Sequence, residues 1–122
     1  MSNTTRFLLR MGISETLLGS AYIKAAMDII SADESVLHKR VCSGLYKKIA
    51  EEHSATPVSV ERAIRHAVEV AWERGDIDFQ EEVFGFVVQA STGHPTNSEF
   101  LARMYYYLAE MESEGRGWTL KI

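Results

Sequence analysis

The sequence predicts an all-α fold, a compact bundle of about six helices in one domain. Three observations point to it. Apolar residues recur at helical spacing along the chain, alternating strand patterns are nearly absent, and the two prolines stand where helices can begin. A chain of 122 residues with 46% hydrophobic and 25% charged residues has a globular composition, and it can bury a core without a disulfide or a metal ion.

The first half of the chain has the apolar spacing of amphipathic helices, shown by Ile23, Ala26, Met27 and Ile30 and then by Leu37, Val41, Leu45 and Ile49. Three later segments begin with residues that cap helices. Thr56-Pro57 places a capping hydroxyl before a proline at the first helical position, Asp78 offers a second start, and Thr96 to Glu99 fits a capping box. We therefore expect further helices to begin near residues 57, 78 and 96.

The end of the chain and one apolar run are less regular. We interpret the run 83–88 (VFGFVV) as a helix end that continues into a buried loop. Residues 1–110 are predicted to form the domain, and residues 111–122 a loosely held C-terminal tail.

Neither a span of about 18–20 apolar residues nor a secretory signal is present, so we expect a cytoplasmic protein without a membrane partner. Cys42 is the only cysteine; it suits a reducing compartment and is predicted to be a small core residue. The four histidines and Cys42 lack the spacing of metal ligands, and no acid/base pair or activated nucleophile is apparent. We therefore expect no metal, no cofactor and no enzymatic activity.

The net charge of −4 hides an asymmetry along the chain. Residues 1–50 carry seven Lys or Arg and four Asp or Glu, whereas residues 51–122 carry six and thirteen. The distribution of charge bears more on nucleic-acid binding than its sum does. The net charge therefore does not exclude a DNA-binding protein.

The helix predicted over about 58–73 has one apolar face and one polar face when it is wound at about 100° per residue. The polar face comprises Glu61, Arg62, Arg65, His66, Glu69 and Glu73. Arginine can donate two hydrogen bonds to guanine, glutamate can accept one from cytosine, and a helix N-terminus attracts phosphate. A solvated stripe with an i,i+4 ion pair such as Glu61–Arg65 explains the same residues. The stripe alone leaves both interpretations open.

The preceding residues complete the pattern of a helix-turn-helix. A short amphipathic helix ends near Glu52, Ala50 allows close helix approach, and a tight turn leads to the capped helix in which Val60 and Ile64 face inward. The second helix of such a motif enters the major groove of DNA. Ser54 stands where many such turns have glycine. From the residues alone, DNA binding and a plain solvated surface remain alternatives.

Several motifs together carry a family resemblance. They are Ser59 to Trp72, Arg74 to Asp78, Phe84-Gly85, and Pro95 to Phe100, preceded by Met11-Gly12-Ile13, Leu18-Gly19 and Tyr22 to Ala26. Over about residues 5–110 the chain resembles the C-terminal DNA-binding domain of the stage-zero sporulation response regulator A family. The resemblance implies a six-helix domain that regulates transcription by binding a short asymmetric box of double-stranded DNA near promoters.

The resemblance also implies roles for individual residues. Glu61, Arg62, Arg65 and His66 match family positions that meet bases and nearby phosphates, and we add Lys47, Lys48, Thr56, Ser59 and His94 to the candidate DNA surface. The segment from about Gly75 to Val88 resembles the surface through which the family contacts the RNA polymerase sigma subunit. Its candidate contact residues are Asp78, Glu81 and Glu82, although the same carboxylates also suit the solvated start of a helix.

The chain departs from the family in three respects. No phosphoacceptor receiver domain precedes the matched region, so the family's phosphorylation control does not carry over to this chain. We expect a monomer in solution and a tandem dimer only on adjacent boxes. Glu51 and Glu52 stand where the family has basic residues, and Thr92 and His94 replace lysines. Losing phosphate contacts weakens binding and flattens its salt dependence. The alternative function is a protein-interaction module, or an antagonist of a full-length regulator, that has kept the fold without effective DNA binding.

Overall fold

The computed structural model describes residues 2–38, 41–85 and 93–115, and over these residues the chain forms six α-helices and no strand. The helices are α1 (Asn3–Arg10), α2 (Leu18–Ala32), α3 (Val41–Glu52), α4 (Pro57–Arg74), α5 (Ile77–Phe84) and α6 (Asn97–Ser113). A 3-10 turn, Glu34–His38, lies between α2 and α3. The predicted all-α bundle is confirmed.

Helix α4 packs against α2, α3 and α6, so three other helices fix its position. Its inward side chains are buried: Val60, Ile64, Ala67, Val68 and Ala71. The predicted inward orientation of Val60 and Ile64 is confirmed. Because apolar burial is the main favourable term in folding, this face anchors α4 and leaves the opposite face to solvent.

Two glycines allow the backbone to approach α4 closely. A Cβ atom at Gly19 would clash with the carbonyl oxygen of Ala63 and would lie 2.8 Å from the Cβ of Ala67. At the end of α4, a Cβ atom at Gly75 would clash with the carbonyl oxygens of Ala71 and Met11. These contacts hold α2 against the middle of α4, and the segment after α1 against its C-terminal end.

The N-cap residues of α4 and α6, Thr56 and Thr96, are those that the sequence predicts. Thr56 Oγ1 accepts a hydrogen bond from the Ser59 backbone N–H, and Ser59 Oγ accepts one from the Thr56 N–H, both at 3.1 Å. This reciprocal pair is a capping box in which serine replaces the usual glutamate or glutamine. At α6, Thr96 Oγ1 accepts from the Glu99 N–H at 3.2 Å.

The predicted start of α5 at Asp78 is wrong. The N-cap is Asp76, whose Oδ1 accepts hydrogen bonds from the N–H groups of Asp78 at 2.9 Å and Phe79 at 3.2 Å. A capping carboxylate reaches N–H groups two and three residues ahead, and Asp76 has extended backbone angles outside the helix. Asp78 already lies in the first turn, where a carboxylate favours the helix dipole without capping it.

Helix α6 extends to Ser113, past residue 110 at which the domain was predicted to end, and Met111 is buried within it. Val83 and Phe84 are buried in the last turn of α5, which ends at Phe84, so the run 83–88 begins with the predicted helix end. The rest of that apolar run and the last seven residues of the tail lie outside the described residues. Within the described part of the chain, no helix combines the length and the hydropathy needed to cross a membrane.

Candidate nucleic-acid interface

A tight turn joins α3 to α4 and completes the predicted helix-turn-helix. The Ala55 N–H donates to the carbonyl oxygen of Ala50 at 2.9 Å, and the His53 N–H donates to that of Ile49 at 3.1 Å. Ser54 has a φ of 53°, in the left-handed region that glycine favours. The serine that departs from the usual turn sequence therefore still adopts the backbone angle that the turn requires.

The outer face of α4 presents polar side chains over its first turns. Ser59, Arg62, Arg65 and His66 are exposed and Glu61 is half-buried. Arg65 Nη1 donates to Glu61 Oε1 at 3.1 Å, whereas Arg62 makes no hydrogen bond or ion pair with any other described residue. Exposed ion pairs of this kind contribute at most about 1 kcal/mol. Groups of a ligand can therefore replace the Glu61–Arg65 pair at little cost.

Helix α3 brings charges of both signs close to the turn. Lys47 and Lys48 are exposed, and Glu51 and Glu52 are exposed one turn later. His94 is half-buried before α6, with its Nδ1 3.0 Å from the carbonyl oxygen of Pro95, while Thr92 lies outside the described residues. The two lysines offer contacts to phosphate, and the two glutamates oppose such contacts.

Asn97, which was not among the candidate site residues, connects α6 to both helices of the helix-turn-helix. Its Nδ2 donates to Tyr46 Oη on α3 and to the carbonyl oxygen of Glu61 on α4, both at 3.1 Å. A carbonyl oxygen can only accept, so the amide nitrogen is the atom that must face it. The partners are 51 and 36 residues away in the sequence, and helical spacing gave no signal of either bond.

The candidate polymerase-contact residues lie on α5. Asp78, Glu81 and Glu82 are exposed, and Glu82 Oε2 accepts a hydrogen bond from the Tyr107 hydroxyl at 3.1 Å. Arg103 of α6 donates from Nε and Nη2 to the Val83 carbonyl oxygen at 3.1 and 2.8 Å. Helix α5 is thus fastened to α6 and presents its carboxylates to solvent.

The last two features are the possible metal ligands and Cys42. Among the described side chains, no group of three or more His, Cys, Asp or Glu could hold a metal ion. Cys42 lies in α3, and its side chain falls outside the described part of the chain.

The chain matches a known protein family. Residues 4–108 match the family described as sporulation initiation factor Spo0A C terminal. The match covers α1 almost from its start, the whole helix-turn-helix, α5 and most of α6. It confirms the resemblance found in the sequence motifs.

Proposed function

Because the chain belongs to the family of Spo0A C-terminal domains, which are DNA-binding effector domains, we propose that it recognises a specific DNA sequence with the outer face of α4. The observation that carries the proposal is the exposed polar face on the first turns of the second helix of a helix-turn-helix. In this motif the N-terminal residues of the second helix contact base edges in the major groove. A protein with this activity acts at the nucleoid, where its double-stranded DNA partner lies.

Each side chain has a chemistry suited to this contact. Arg62 can donate two hydrogen bonds to guanine, and Glu61 and Arg65 can exchange their mutual ion pair for base and phosphate contacts. Contacts to the phosphate backbone are assigned to the other candidates, which are Lys47, Lys48, Thr56, Ser59, His66 and His94. Phosphate contacts position the protein on the duplex and base contacts give the specificity.

The test is selection of bound sequences from a random DNA pool with purified protein. We expect a short asymmetric sequence, and Arg62→Ala should lose about 1–3 kcal/mol of discrimination at one base pair. The matched control is Arg74→Ala, which removes the same charge from the last turn of the same helix and should keep the sequence preference. An unchanged preference in Arg62→Ala, with circular dichroism showing an intact fold, contradicts the assigned role of Arg62.

The alternative, a protein-interaction module, is favoured by the exposed carboxylates of Glu51 and Glu52 beside the turn. Replacing both with lysine should tighten DNA binding and steepen its salt dependence, by a slope of roughly two from the two added phosphate contacts. Selection of no sequence by the wild type, together with no gain in the double variant, would favour the interaction module instead.

We also propose that the carboxylates of α5 contact the sigma subunit of RNA polymerase. Opposite charges favour encounter and register between partners, and these side chains lie on a helix separate from the proposed DNA surface. Glu81→Lys with Glu82→Lys should leave DNA binding near wild type and lower promoter activation in a reconstituted transcription assay. Asp28→Lys with Glu112→Lys makes the same charge change on α2 and α6 and should leave activation unchanged. Full activation by the first double variant would exclude the proposed contact.

A further inference from the structure

The Asn97 side chain hydrogen-bonds to both helices of the helix-turn-helix at once. Its Nδ2 donates to acceptors on different elements, the hydroxyl of the buried Tyr46 on α3 and the backbone carbonyl oxygen of Glu61 on α4. Glu61 immediately precedes Arg62, the residue assigned to base readout. The bond to Glu61 therefore attaches the turn of α4 that carries Glu61 and Arg62, here called the reading turn, to the rest of the domain. It does not act on the distant C-terminal end of α4.

The start of α6 is itself fixed, so Asn97 has a stable base. Thr96 caps the helix, and Phe100 and Leu101 one turn later are fully buried. Asn97 is the first residue of the helix, so little freedom remains for its backbone. A short side chain on a fixed backbone holds its two acceptors at a set separation, because it has only two rotatable bonds.

We propose that Asn97 is a positioning residue for DNA recognition: it sets the placement of the first turns of α4 relative to α3, and thereby the base specificity, without contacting DNA. This inference rests on the proposed function, because it concerns how that function achieves its specificity. Base readout requires donors within hydrogen-bond distance of base edges, so a shift of about 1 Å in the reading turn weakens it. Contacts to phosphate through long lysine side chains tolerate such a shift.

The fold supplies a matched control at the other end of α4. Gln80 Nε2 donates to the Ala71 carbonyl oxygen at 2.8 Å, and this side chain is buried. Gln80 and Asn97 therefore make the same kind of bond, from a side-chain amide to a carbonyl of α4. The two bonds differ in position, since Ala71 lies near the C-terminus of the helix and Glu61 in its second turn.

The experiment compares Asn97→Leu with Gln80→Met, two replacements of similar size that delete the amide donors. For each variant, the dissociation constant is measured for the sequence selected by the wild type, for its single-base variants and for random DNA. For Asn97→Leu we expect the ratio of dissociation constants between the single-base variants and the selected sequence to fall on the order of tenfold. Its binding to random DNA should be unchanged. Gln80→Met should lower the melting temperature by a similar or larger amount and keep its discrimination.

Tyr46→Phe serves as a second variant, since it removes only the hydroxyl and keeps the ring in the core. It should lose discrimination in the same direction by a smaller factor, and adding it to Asn97→Leu should cause little further loss. The positioning role alone would be overturned if Asn97→Leu and Gln80→Met lost discrimination equally. It would also be overturned if Asn97→Leu and Tyr46→Phe both kept the discrimination of the wild type. A wild-type protein that selects no sequence would overturn the proposed function and this inference together.

Discussion

Substitution of Gly19 by alanine tests the close crossing of α2 and α4, on which the placement of α4 depends. The added methyl group would clash with the backbone oxygen of Ala63 and would lie 2.8 Å from the Cβ of Ala67. Neither atom belongs to a flexible side chain that can swing away. The two helices must therefore separate, and inserting a methylene-sized group into a packed interior costs about 1–3 kcal/mol.

Gly44 provides the opposite case within the same fold. It lies in α3, it is exposed, and a Cβ atom placed there meets nothing within 4 Å. Alanine loses less backbone entropy than glycine when a helix forms, so Gly44→Ala should stabilise the protein by about 0.5–1 kcal/mol. The same chemical change is thus expected to have opposite signs at two helical positions, with a difference of at least about 1.5 kcal/mol.

Urea denaturation of the wild type and both variants measures this difference directly, provided that the slope of each transition is the same. Thermal melting gives a second reading, at roughly 4 °C per kcal/mol for a chain of this size. A Gly19→Ala protein as stable as the wild type would refute the inference that α2 and α4 are in backbone contact. A loss of stability in Gly44→Ala would instead show that the Cα of Gly44 does not face open solvent.

Three further predictions concern the cap of α5, the ionisation of a tyrosine and the assembly state. Asp76→Ala should cost about 1 kcal/mol of unfolding free energy and Asp78→Ala only about a few tenths, because Asp76 caps the helix. A larger loss in Asp78→Ala than in Asp76→Ala, measured by urea denaturation, would contradict the cap assignment. The hydrogen bond to Glu34 and, secondarily, burial raise the pKa of Tyr105 from 10.0 to about 12, so its stabilising contribution is intact below pH 10 and is lost as the pH rises through about 12. Titration of tyrosinate absorbance should show this late ionisation, and Glu34→Gln should return the pKa towards 10.0; an unchanged titration would exclude the Glu34 contact as its cause. Sedimentation should find a monomer, because the exposed large hydrophobic side chains among the described residues lie on five different helices. A stable dimer at micromolar concentration would contradict this. On DNA, the protein should bind two adjacent boxes more tightly than one.

Local chemistry was sufficient to predict most of the fold. The caps at Thr56 and Thr96 and the buried face of α4 follow from residues within a few positions of one another, so the sequence shows them directly. The prediction failed at α5 because Asp76 and Asp78 are both acceptable caps by residue type. The choice depends on where the chain turns after α4, and at that turn Gly75 lies close to the backbone of Met11, which is distant in the sequence.

The candidate site also has features that the sequence shows and features that only the tertiary structure shows. The sequence alone determined which side chains share the outer face of α4, because a helix of fixed pitch converts residue spacing into direction. It could not show that α2 meets α4 at Gly19 or that Asn97 connects α6 to Tyr46 and to the reading turn, since these contacts join residues that are distant in the chain. Such contacts arise from the packing of whole helices, which depends on many side chains at once and is decided only when the core assembles.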